Sequence, residues 1–426
     1  MFCLSEKENG GETMVLRDYT PMKAQTGATK SEVYKLAPTV YGKREQGVLC
    51  PDTCFGFREK DGRFSSAEGM KKTTAFTLSR AERCYDANGL VAFANGGLYA
   101  LSGAGFTLKA SFSAAPSVCA VTLESGEEGY LFYRGNDWWY KGASEKRLVG
   151  VNAKFACFHY ERLYVWDGET LRFSAACNPF DWNEDMQGAG WAELPCPYGD
   201  VVSMCAFSER VYLVRERGVT VFRAFGDNRN MKAVHVGLPC KQIVGESVVP
   251  FADGMLFFSE GNLYRYDGAD CSLLLETEFA VQEAAFDGKR YLARGTLGGE
   301  NVLFVYRQDG THSFFRIDVT CLSARSFLSE GRWLTLSDEE EEPVERVWSA
   351  ELIPLSSAKK KRVRRIYLFG KGEVSLRISS AFGTREKTVQ LPALVRPSLH
   401  GSEFSLRILA HGIVGIDKME VKFLEN

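Results

Sequence analysis

No apolar run in this chain reaches the length of a membrane-spanning helix, and helix-period patterning is nearly absent throughout. The first absence leaves no membrane span to expect. The second points away from helical folds. The opening residues, Met1-Phe2-Cys3-Leu4-Ser5-Glu6-Lys7-Glu8, lack a signal-peptide core, so synthesis in a cytoplasm is expected. Net charge is also small: 52 Lys and Arg stand against 54 Asp and Glu, a formal −2. That balance excludes a nucleic-acid or membrane binder built on bulk positive charge.

Catalytic signatures are missing as well. The five histidines, His159, His235, His312, His400 and His411, show no metal-ligand spacing and read as strand or surface residues. There is no G-x-S-x-G, no phosphate loop and no G-x-G-x-x-G after a strand. Ser102-Gly103-Ala104-Gly105 lies between strands and reads as a turn. Asp253, Asp267, Asp287 and Asp309 each adjoin a glycine at a bend, where turn chemistry explains them. No enzyme, cofactor or metal is expected.

What the chain does have is a recurring hairpin. Aromatics make up 12% of its 426 residues and are spread along the whole length, as repeated strands require. The clearest copies run from Glu161 to Ser174, from Glu209 to Phe222 and from Asp253 to Tyr266. Each is an apolar strand after a charged turn, then a bend with Gly, then a second strand. Further pairs are Val91–Phe93 with Leu98–Leu101, Gly129–Tyr133 with Trp138–Tyr140, and Lys289–Ala293 with Val302–Tyr306 across Gly295 to Glu300. Arg332–Leu336 is expected to pair with Arg346–Ser349. The units recur at roughly 40 residues, the period of propeller blades. The predicted fold is therefore all-β: a β-propeller of about seven blades over 71–355, an N-terminal extended arm over 1–70, and a small C-terminal β-sandwich over 360–426. The N-terminal strands are placed to complete a blade and remove the free sheet edge. In the C-terminal part, Ile366, Leu368, Val374, Leu376 and Ile378 share one face of a hairpin turned at Gly370-Lys371-Gly372. A core so small is expected to dock on its neighbour.

Three local features bear on sites. Most of the twelve cysteines, such as Cys84, Cys119, Cys157, Cys205, Cys271 and Cys321, sit singly in apolar strands and read as buried hydrophobes of a reducing compartment. Cys50 and Cys54 are spaced C-x-x-x-C; zinc or a disulfide is open to them, but no second pair follows and coincidence is favoured. Trp138 and Trp139 are the candidate glycan platform, although adjacent strand residues face opposite sides and core packing ranks higher. The acidic run Asp338-Glu339-Glu340-Glu341-Glu342 reads equally as a solvated loop or as the lining of a bore.

The stretch Arg162 to Ser174, followed by Asn178-Pro179-Phe180-Asp181-Trp182, resembles bacteriophage tail proteins of the nozzle or tail-tube class. The lead-in strands between Gly47 and Lys71 and the terminal segment from Arg364 to Phe423 are similar to the corresponding parts of those proteins. The chain departs from them in lacking the domains inserted into their propellers. The resemblance implies a virion structural subunit, assembled in the host bacterial cytoplasm as a nozzle, adaptor or hub ring. Its partners would be other copies of itself and other tail or connector proteins. Double-stranded DNA would pass without specific binding, which a weakly acidic lumen permits. The alternative is a receptor- or glycan-binding propeller at the tail tip.

Overall fold

The second strand of each repeat is apolar on both faces. Leu90–Ala94, Arg162–Trp166 and Gly254–Ser259 are buried at every position. A strand buries both faces only when another sheet packs on each side, so each sheet must stand between two neighbours. The computed structural model meets this demand with a ring. It describes residues 29–425, apart from 39–46, 62, 74–77, 87–88, 103–104, 124, 135–136, 142–144, 149–151, 185–187, 224–230, 325 and 353–360. From 134 to 148 it describes strand placement only.

Seven four-stranded antiparallel sheets follow one another. They occupy 83–111, 117–148, 155–193, 201–237, 249–275, 280–316 and 319–337, the last completed by Gly69–Lys72. We number these blades 1 to 7. The first strand of each blade lies innermost, and the first strand of blade 7 touches that of blade 1. Every gap between neighbours is filled by its own apolar cluster. Tyr164, Leu171 and Phe173 of blade 3 meet Val211, Leu213 and Phe222 of blade 4. At the last gap Cys321, Leu328 and Trp333 of blade 7 meet Cys84, Leu90 and Ala92 of blade 1. The fold is thus a closed β-propeller.

Closure uses the N-terminal strand, as expected. Gly69–Lys72 pairs with Arg332–Ser337 in the register Leu334↔Lys72 to Ser337↔Gly69. The expected pairing of Arg332–Leu336 with Arg346–Ser349 is corrected. The acidic segment folds back over the closing strand, where the N–H groups of Glu341 and Glu342 donate to Met70 O at 3.0 and 2.9 Å. The chain then leaves the ring, and Val347–Leu352 pairs with Phe404–Leu409 instead. A second correction concerns Cys84 and Cys321. They are not separate thiols: a disulfide joins them across the gap between blades 7 and 1, with Cα atoms 5.8 Å apart. The blade 6 hairpin is tighter than expected, because Thr296 and Leu297 still pair with Asn301 and Glu300 and the bend is Gly298-Gly299.

Strands that precede and follow the propeller meet in one eleven-stranded sheet. Thr29–Leu36 pairs with the last strand, Phe404–Glu425, and Thr53–Phe55 pairs with Val347–Leu352. Lys361–Ser380 runs antiparallel to Phe404–Glu425 along most of its length. No hairpin turn forms at Gly370-Lys371-Gly372. The register shifts there while the strand continues, and a Cβ on Gly370 would lie 2.0 Å from Gly415 O. The glycines permit a bulge and a close backbone approach. Ile366, Leu368, Val374, Leu376 and Ile378 do share the core. The sheet docks on the outermost strand of blade 6. Gly56 N–H donates to Phe314 O at 2.7 Å, and the Arg316 guanidinium lies 4.7 Å from the centre of the Phe55 ring.

Glu68 ties these parts together. It precedes the closing strand and is buried, with 7% of its surface exposed. Arg307 of blade 6 grips it with both Nε (2.7 Å) and Nη2, and Arg58 of the terminal sheet donates to it at 3.1 Å. Burial opposes ionisation of this carboxyl, but the Arg307 hydrogen bonds outweigh it and hold the pKa down to about 2. Nearby, burial pushes His312 down to about 4, helped by Arg307.

Two tests follow from these groups. Glu68→Gln leaves buried guanidinium charge uncompensated and should cost about 3–5 kcal/mol in urea unfolding; a loss below 1 kcal/mol would refute its role. Both depressed pKa values make the fold acid-sensitive. The unfolded chain takes up the His312 proton first, so stability falls from pH 6.5 towards 4. Glu68 then extends the loss from pH 4.5 towards 2. His312→Phe should flatten the upper window in melting curves against pH, and an unchanged profile would count against it. A third test concerns the bends. Ser208 and Glu209 both hold positive φ, 44° and 61°, a pair of left-handed positions that Asn95-Gly96, Glu260-Gly261 and Glu330-Gly331 fill elsewhere in the ring. Ser208→Asn with Glu209→Gly should raise stability by about 1 kcal/mol.

Candidate functional site

The innermost strands of blades 4, 6 and 7 each shift register, between Val201 and Ser203, Val281 and Glu283, and Val319 and Cys321. Bulges re-aim side chains. In blade 6 the bulge presents Gln282 and Glu283 together to Arg294 of the next strand. Arg294 Nε donates to Glu283 Oε2 at 2.7 Å, and Nη1 donates to Gln282 Oε1 at 2.9 Å. Blade 5 begins differently, with a 3-10 turn at Gly245–Ser247. Gly245 is required there, since a Cβ would lie 2.0 Å from Val202 O. Ser247 fixes the turn by accepting from Phe258 N–H at 2.8 Å, and its carbonyl accepts from the Tyr291 hydroxyl at 2.7 Å.

This turn holds Glu246 towards the axis, where it accepts from Arg83 Nη2 at 2.6 Å. Arg83 lies on the innermost strand of blade 1, three places from blade 5 on a ring of seven. The pair therefore spans the central channel. Arg83 also stacks over Tyr85 at 5.6 Å, and the Tyr85 hydroxyl donates to Pro116 O. Burial lifts the Glu283 carboxyl above its ordinary pKa, against the hydrogen bond and charge of Arg294 and the charge of Arg83. Two arginines and two glutamates thus lie together at the axis. Beside it a cleft of about 430 Å³ lies among blades 6, 7 and 1, lined by Arg294, Gln282, Asn301, Asp318 and Thr320. No signal in the sequence assembles these residues, which come from strands far apart in the chain.

The expected site residues fall elsewhere. The acidic run is pinned to the chain's own cations: Lys71 lies 2.8 Å from Glu341 and 3.7 Å from Glu339, Arg332 lies 2.7 Å from Glu342, and Arg346 lies 2.7 Å from Glu340. Asp338 opens this segment. Trp138 and Trp139 lie on the third strand of blade 2, opposite Tyr133 and Phe132; their side chains fall outside the described residues. Cys50 and Cys54 are unbonded to one another, Cys54 is buried, and its thiol donates to Pro38 O at 3.1 Å. No group of three or more metal-ligating side chains occurs among the described residues. Asp267, Asp287 and Asp309 accept from N–H groups two or three residues on, as turn aspartates should. Asp253 pairs instead with Arg265. In the Asn178-Pro179 stretch, Phe180 and Trp182 pack on the cluster between blades 2 and 3. Phe173 and Ser174 are buried; Ser174 Oγ accepts from Leu163 N–H at 3.0 Å and Arg162 donates to Ser174 O at 2.7 Å.

No protein-family model matches the chain. No curated protein matches it either. Among solved structures it is similar to the extracellular domain of a protein described as a one-component system from B. thetaiotaomicron, at 12% identity and a TM-score of 0.43, over 75% of this chain and 46% of that one. A related structure, described as a hybrid two-component system from the same organism, gives 13% and 0.45, over 76% and 47%. Hsv2p of Kluyveromyces lactis gives 10% and 0.35, over 47% and 68%. The chain spans about half the length of the two bacterial structures.

The axial pair has a direct test. Arg83 and Glu246 are 39% and 56% exposed, so a double-mutant cycle to alanine should give a coupling below about 1 kcal/mol and leave the urea midpoint nearly unchanged. A coupling above 2 kcal/mol would make the pair a structural support of the ring.

Proposed function

We propose that this chain is a non-catalytic assembly subunit of a bacteriophage tail, in a nozzle, adaptor or hub ring whose copies surround the DNA-ejection channel. The observation that carries the reading is the Arg83–Glu246 bridge across the propeller's own axis. A duplex cannot pass through a disc closed in this way, so a DNA path must run between copies. The sequence resemblance around Arg162–Trp182 supports the class, and that stretch serves packing: Arg162 and Ser174 lock the strand ends, and Trp182 seats the following loop. The acidic segment Asp338–Glu342 would present modest charge to such a path, since four of its five carboxylates have cationic partners within the chain. Mass spectrometry of purified particles and imaging of the isolated protein test the proposal. The expected outcome is the chain within virions and a ring of copies. A strictly monomeric chain absent from particles would end it.

A second reading, a glycan- or receptor-binding propeller at the tail tip, is favoured by Trp191 on the outermost strand of blade 3. Its side chain is 50% exposed, and its indole N–H donates to Glu184 at 3.2 Å. An oriented aromatic face beside a carboxylate suits sugar stacking. Trp191→Ala should then abolish binding on a glycan array while leaving the melting curve intact; unchanged binding would remove this platform.

A further inference from the structure

The innermost strands of blades 7, 1, 2, 3 and 4 carry Cys321, Cys84, Cys119, Cys157 and Cys205, five consecutive places around the ring. Of these five, only the pair at the gap between blades 7 and 1 is bonded. That gap differs from the others. Its two sides come from positions 237 residues apart, whereas every other gap joins blades adjacent in the chain. It is also already shut without the bond. Gly69–Lys72 completes blade 7, the Trp333 indole N–H donates to Leu78 O at 2.7 Å, and Asp86 accepts from Ala324 N–H.

We infer that Cys84–Cys321 is a redox-controlled clasp on the ring seam, absent in a reducing cytoplasm and formed when the closed chain meets an oxidising surrounding. The strand closure assembles the ring first, because it needs no oxidant. The clasp then converts a seam that can breathe into one that cannot. The chemistry is thiol–disulfide exchange with a low-molecular-weight disulfide. The Cys84 thiolate attacks one sulfur of that disulfide and releases one small thiol. The Cys321 thiolate next attacks the Cys84 sulfur of the mixed disulfide and releases the second. Two protein thiols are oxidised and one external disulfide is reduced, with both thiol protons passing to the released thiolates. Cys84, 5% exposed, is the entry, and Cys321 is fully buried. Both exchange steps therefore require the seam to open. The neighbours are not joined in this way: Cys119, Cys157 and Cys205 carry unbonded thiols.

This inference is independent of the phage reading, because its test needs only the purified full chain. Protein alkylated directly in a reducing cytoplasmic lysate should yield separate Cys84 and Cys321 peptides. The same protein incubated with oxidised glutathione should yield the linked peptide. Dithiothreitol should cleave the bond at least tenfold more slowly in native buffer than in urea, and cleavage should lower the urea midpoint. The double variant Cys84→Ala with Cys321→Ala should show that lower midpoint and no response to dithiothreitol. Cys240→Ser should keep the full response. Should the double variant fail to fold, the two peptide maps and the cleavage rates of the unaltered chain still decide. The idea is overturned if no linked peptide forms with oxidised glutathione, if the bond is already complete in the reducing lysate, or if native cleavage is as fast as in urea.

Discussion

The disc depends on one pairing, Gly69–Lys72 against Arg332–Ser337. The second strands of blades 1 and 7, Leu90–Ala94 and Phe327–Ser329, are buried at every position, so an open ring would leave an apolar face bare at each end. Ala92, Leu328 and Trp333 would be among the exposed residues. Closure must bring together residues more than 250 apart in the chain, at a large cost in loop entropy before any contact is rewarded. The structure concentrates its strongest local interactions at this point. Glu68 sits one residue ahead of the closing strand, held by Arg307 and Arg58. The acidic segment lies over the strand's outer side, and the Cys84–Cys321 bond spans the same seam.

The terminal sheet follows from this closure. A chain whose first blade strand belongs to its last blade brings the segments before and after the ring to one place. Here they are joined: Thr29–Leu36 adds to Phe404–Glu425, and Thr53–Phe55 to Val347–Leu352. The expected arm and C-terminal unit share this sheet, and Phe55 and Val347 extend its contact into the core between blades 5 and 6. The ring and the sheet thus reinforce one another through Glu68. The axis, by contrast, is crossed by an exposed ion pair of small energetic weight.

Much of this was legible in the residues. The repeated apolar hairpin of Glu161 to Ser174 was legible as paired strands, and so was the hairpin of Val91–Phe93 with Leu98–Leu101. Asp267, Asp287 and Asp309 were correctly read as turn formers, whereas Asp253 pairs with Arg265. Gly370 and Gly372 misled, because a glycine needed for a bulge and a glycine needed for a turn look alike in a sequence. The acidic run misled too: its spacing suited a hairpin loop, but its N–H groups pair with Met70.

The sequence by itself determined the period, the β character and the hairpins, because these rest on contacts between residues close in the chain. Only the tertiary structure decided which distant groups meet: Cys84 with Cys321, Glu68 with Arg307, Arg83 with Glu246. Those partners are chosen by the angle at which a ring of seven closes. That angle is a property of all the blades together, and no local pattern encodes it.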